Sequence, residues 1–115
     1  MQTVTSLRIL LANEPRAYRE ALGAALGGLR PSACVRVVEP GQLEETLERY
    51  QPHLLICSQL TPSVERLPLA WLVLYREGTS HAELRLDGQW MTTSQVQLDD
   101  LLALVDRTAL LVRGG

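Results

Sequence analysis

The side chains best placed for nucleophilic chemistry are Cys57 and Ser58, adjacent at the end of an apolar run. The two imidazoles, His53 and His81, are the available bases. A general base must come within hydrogen-bond reach of its nucleophile. His53 precedes Ser58 by five positions on one extended segment, roughly 17 Å away at strand rise. It belongs to the opposite end of the strand. His81 can approach only through a loop that the sequence leaves unspecified. No nucleophile elbow, metal-ligand cluster or glycine-rich phosphate loop accompanies these residues. Gly23, Gly27 and Gly28 fall within or after a helical stretch, not directly after a strand. The sequence therefore predicts no enzyme, no metal and no cofactor.

The elements that must position such residues follow from the apolar pattern. Leu54-Leu55-Ile56-Cys57, bounded by Pro52 and Pro62, reads as a strand buried on both faces. Leu7–Ala12 and Trp71–Tyr75 read the same way, and Cys34–Val38 is a short β-branched strand. Asn13 is the expected N-cap of a helix with Glu14 and Pro15 in its first turn. Tyr18, Leu22, Ala25 and Leu26 supply the apolar stripe of that helix, and Gly27-Gly28 its end. A charged helix follows Pro40-Gly41 and runs through Gln51. His81–Leu86 alternates apolar and polar residues, Asp87-Gly88 suits a type I′ turn, and Gln89–Thr93 continues as a strand, which is a hairpin signature. A leucine-rich helix spans about Gln97 to Val112, with Ser94 and Gln97 as its expected capping box.

Composition narrows the function classes. At 115 residues, 46% of them apolar, the chain makes one globular domain over 1–115, with 1–6 and 114–115 as expected loose ends. A net charge of −2 and a pI of 5.6 speak against a nucleic-acid surface. No apolar run reaches membrane-spanning length, and Met1–Ser6 lacks the regions of a signal peptide, so a cytoplasmic location is expected. Cys34 and Cys57 lack CxxC spacing and are expected as buried, reduced thiols. All eleven basic residues are arginines, and the first aspartate is Asp87. Any mechanism requiring a lysine is excluded.

The stretch Gln51–Pro62, QPHLLICSQLTP, resembles the third strand of response-regulator receiver domains, in which the phosphorylated aspartate would fall on Ser58. Arg8–Leu26 resembles the first strand and helix of that family, and Leu98–Leu102 the start of its final helix. The resemblance implies a flavodoxin-like, doubly wound parallel α/β sheet of strand order 2-1-3-4-5. Only seventeen positions separate Ser58 from Tyr75, so the third helix is shortened to about a turn near Ser63–Arg66. The hairpin or a loop replaces the fourth helix.

Carried over residue by residue, the family's switch is dismantled. Its acidic, Mg²⁺-holding pair falls on Asn13 and Glu14, a weak site without an aspartate at 58. Its phosphoryl-binding Thr or Ser falls on Tyr75, and its lysine falls near Ser94. Serine cannot form an acyl phosphate. The resemblance therefore implies a pseudo-receiver of two-component signalling: a phosphorylation-independent module acting through protein–protein contact, with a second copy of itself as the expected partner. Kinases, transcription factors or other receivers are the regulatory partners the family implies. The alternative is a small-ligand sensor whose pocket, at the C-terminal ends of the strands, is walled by Asn13, Glu14, Ser58 and Tyr75.

On the last helix, Leu98, Leu101, Leu102, Val105, Ala109 and Val112 share one face, while Leu104 and Leu111 lie roughly 120° around from its centre. These two are either scattered surface leucines or a dimer interface. Trp90 either joins that interface or fills the space of the absent helix.

Overall fold

The structure, a computed structural model, describes residues 6–75 and 81–114. Residues 1–5 and 115, expected as loose ends, lie outside this range, as does the side chain of His81. The chain order is β1 (Arg8–Ala12), α1 (Arg16–Leu29), β2 (Cys34–Val37), a 3-10 turn (Pro40–Gln42), α2 (Leu43–Tyr50), β3 (Leu54–Cys57), α3 (Pro62–Glu65), β4 (Ala70–Leu74), β5 (His81–Leu86), β6 (Gln89–Ser94) and α4 (Leu98–Gly114). Among the described residues, no helix is long and apolar enough to cross a membrane.

The six strands form one sheet in the order β2-β1-β3-β4-β5-β6. Strands β2, β1, β3 and β4 are parallel, whereas β5 is antiparallel to β4 and β6 to β5. This mixed sheet overturns the expected flavodoxin-like parallel one. The reason is the connection after β4, which has only residues 75–80 in which to reach β5. A parallel crossover needs a dozen or more residues, so the chain turns back. The hairpin itself is where the alternation placed it. Asp87 and Gly88, both at positive φ, make the two-residue turn, which glycine and aspartate tolerate best.

Helices cover both faces of the parallel part. Ile9, Leu11, Leu54, Ile56 and Leu72 pack under α1 and α4. Leu10, Ala12, Leu55, Cys57 and Val73 pack under α2 and α3. Alternate residues of β1 and β3 thus enter opposite cores, and each is fully enclosed, as the unbroken apolar runs predict.

Several local expectations are corrected. Helix α1 starts at Arg16 behind an extended Pro15 that supplies no side-chain cap, so Asn13 is not its N-cap. The helix runs through Gly27 and Gly28 to Leu29, and the Arg30 N–H bonds back to the Leu26 carbonyl. Nε and Nη2 of Arg30 then donate to the two carboxylate oxygens of Asp106 at 2.7 and 2.8 Å, tying α1 to α4. At the start of α4 the Asp100 carboxylate accepts the Gln97 N–H (2.8 Å). The reciprocal cap therefore involves Gln97 and Asp100, and Ser94 stays in β6. Cys57 is buried as expected, but Cys34 is exposed, because β2 is an edge strand.

The buried face of α4 is centred on Leu101, Leu104, Val105 and Thr108, rotated by roughly 60° from the sequence estimate. Thr108 lies in that face because its hydroxyl donates to the Leu104 carbonyl (2.7 Å), leaving no polar demand on the core. Leu104 is only 7% exposed and Leu111 packs against the same core. Neither is the exposed interface residue expected from sequence. Among the described residues the exposed leucines of this helix are Leu98, at 39%, and Leu110, at 64%.

Candidate functional site

Strands β1 and β3 run side by side in register, with Ala12 opposite Cys57, so the residues just beyond them converge. Three of the five predicted pocket residues meet here. The Ser58 hydroxyl accepts the Glu14 N–H at 2.8 Å. Asn13 lies beside them with no exposed surface, and among the described residues its amide atoms have no hydrogen-bond partner. Behind it Arg19 is almost wholly buried, donating to the Asn13 carbonyl at 3.1 Å and pairing with Glu39 at 3.2 Å.

A cleft of about 380 Å³ opens at this end, lined by Glu14, Pro40, Glu44, Ser58, Gln59 and Thr61 among others. Thr61 caps α3 by accepting the Val64 N–H (3.3 Å) and donates to Glu44 at 3.4 Å. Two carboxylates thus border the cleft, and among the described residues no arginine lines it. A phosphate site needs converging N–H groups or cations instead. The neighbouring Cys57 thiol is pushed up to about 11 by burial, far from the depressed range of a reactive thiolate.

Of the other two predicted residues, Tyr75 follows β4 beside β3 at this end of the sheet but turns toward β5, and Ser94 lies farther off. Tyr75 donates its hydroxyl to Glu83 on β5, and that bond is the main cause raising its pKa to about 12. Its ring packs with the core beneath α2 and α3. Ser94 ends β6, three strands from β3, roughly 14 Å away at normal strand spacing. The inserted β5 is what separates it from the site.

His53 has a structural role at the far end of β3. Its Nδ1 accepts the Arg8 backbone N–H at 2.8 Å, while the His53 backbone N–H donates to the Arg8 carbonyl at 2.9 Å. Burial, and next the charge of Arg8, lower its pKa, which keeps the ring neutral and able to accept. Among the described residues there is no group of three or more His, Cys, Asp or Glu side chains that could hold a metal. No protein-family model, curated protein or solved structure matches this chain.

Sequence reasoning missed Arg19. The signal was present: Arg19, Leu22 and Leu26 recur at helical spacing on the buried face of α1, and an arginine in such a stripe must find acceptors. It also missed that Trp90 leans on Trp71. Their rings meet edge to face at 5.2 Å, across the Trp71–Arg85–Trp90 row of the sheet. Trp90 remains 49% exposed. It roofs the face of the hairpin opposite α4 and still presents half its surface outward.

Proposed function

We propose that the chain is a non-enzymatic regulatory module, receiver-like over residues 8–74, that acts through protein–protein contact as a cytoplasmic homodimer. In this reading its state is set by what binds it, without phosphorylation. The observation that carries it is Ser58. At the position where the resemblance would put an acceptor carboxylate, a neutral hydroxyl is engaged by the Glu14 N–H, in a cleft whose charged lining is acidic. A phosphoryl group there would have no carboxylate at position 58 to bond to, and among the described residues no cation lines the cleft to receive it. Incubation with a small phosphodonor and Mg²⁺, followed by intact-mass measurement, is expected to leave the mass unchanged. A stoichiometric, acid-labile phosphoryl adduct would overturn the proposal.

A second reading, a small-ligand sensor, is favoured by the cleft between Glu14 and Glu44. Two carboxylates and the polar atoms of Ser58, Gln59 and Thr61 suit a neutral or cationic ligand with hydrogen-bonding groups, not a phosphate.

A further inference from the structure

We propose that the outer edge of β6 is a self-association surface. Two copies of the chain would join their sheets there, antiparallel, about a two-fold axis at Thr92. The inference rests on the homodimer part of the function proposed above and assigns its contact.

The phase of the hairpin decides which backbone groups are available. The Asp87 N–H donates to the Leu69 carbonyl at 3.0 Å, one step beyond the pairing of Ala70 with Leu86. In an antiparallel ladder, alternate residues bond to the same neighbour. Glu83 and Arg85 therefore bond toward β4, while Ala82, Leu84 and Leu86 bond toward β6. Their partners Thr93, Met91 and Gln89 spend their peptide groups inside the sheet. Trp90, Thr92 and Ser94 turn N–H and C=O outward, and among the described residues no strand lies beyond them.

The two edges of the sheet are treated differently. Strand β2 is four residues long, carries Arg36 stacked on the Tyr50 ring at 4.7 Å, and is soon followed by Glu39-Pro40. Short length, charge and proline are the usual guards against edge pairing. Strand β6 has none of them. From Gly88 to Leu98 there is no charged residue and no proline. Its apolar side chains Trp90 and Met91, on opposite faces, are both exposed.

A second copy fits this edge with no conflict. With Thr92 on the axis, Trp90 lies opposite the partner's Ser94, Met91 opposite the partner's Thr93, and Thr92 opposite itself. Threonine pairs are favourable across strands, and no like charges meet. Three outward-facing pairs exchange about six inter-chain hydrogen bonds, and the sheet becomes continuous through both copies. The axis is perpendicular to the sheet, so the two α4 helices lie on the same face.

The test combines mass with amide exchange on the full chain. The wild type is expected to sediment at twice the chain mass, with the Trp90, Thr92 and Ser94 amides protected from hydrogen exchange. Thr92→Pro removes only an outward N–H, which an edge strand tolerates. It should give a monomer with unchanged far-UV circular dichroism. Thr92→Glu sets two carboxylates face to face on the axis and should also abolish the dimer, whatever proline does to the local backbone. A dimer that survives both changes, with those three amides exchanging freely, overturns this contact and leaves the homodimer reading standing. A wild type that stays monomeric at every concentration overturns both.

Discussion

Strand β4 joins two unlike regions. On one side, β2, β1, β3 and β4 run parallel between two helical layers, and the residues of β3 are enclosed on both faces. On the other, β5 and β6 are antiparallel. One of their faces packs toward α4 across a cleft of about 220 Å³, and on the other Arg85 donates to the Glu65 carbonyl at the end of α3 (3.0 Å). Their other face is roofed by the contact of Trp90 with Trp71. A parallel sheet must bury both faces, whereas an antiparallel one can leave a face and an edge to solvent. The strands β1 and β3 of the first region therefore have little surface to offer a partner, and their side chains are committed to stability. The hairpin has fewer such commitments, and it sets exposed apolar residues beside an edge with no charge and no proline.

The largest expected break in this contrast comes from truncating the enclosed strand. Leu55→Ala should cost about 2–5 kcal/mol in urea unfolding, against less than about 0.5 kcal/mol for Thr92→Ala on the hairpin. Equal losses would remove the distinction between scaffold and surface.

A smaller effect is expected at the base of β3. His53→Leu strands the Arg8 N–H and should cost about 1–3 kcal/mol above neutral pH. The sign of its pH dependence follows from the lowered pKa. The unfolded chain takes up this proton first, so the contribution of His53 is complete above the unfolded value of about 6.5 and declines as pH falls through the folded value. Unfolding curves across that range should show the decline in the wild type and lose the part due to His53 in the variant. An unaltered pH slope would mean that the ring is not held neutral by its bond to Arg8.

The smallest effect belongs to the hairpin. Trp90→Ala is expected to cost about 0.5–1.5 kcal/mol for the lost ring contact, and to shift the remaining tryptophan emission to the blue, because Trp71 is fully enclosed. A loss larger than that of Leu55→Ala would make the hairpin part of the scaffold after all.

The legibility of the sequence divides along the same line. Apolar runs such as Leu54–Cys57 reported double-sided burial directly, and Asp87-Gly88 reported the turn, because local chemistry dictates both. Strand direction was misjudged, since both the alternation of strands with helices and the family resemblance pointed to a parallel sheet, while the length of residues 75–80 was the deciding quantity. The convergence of Asn13, Glu14 and Ser58 was legible from their places after strands. The separation of Tyr75 and Ser94 was not, because it depends on a strand inserted between them. Thr108 misled the reading of α4 because a hydroxyl that bonds within its own helix can be buried like an apolar group.

The hairpin has one further consequence, for the order of events in folding. Its strands are linked by two residues and can zip within about 1–10 μs. The contact of Arg8 with His53, by comparison, spans 45 positions, and non-local pairings of that kind close late. The strand pairing expected to form first is thus the one with the open, uncharged edge. It is presented to other chains before the parallel core has closed, so assembly and folding compete for the same strand from the start.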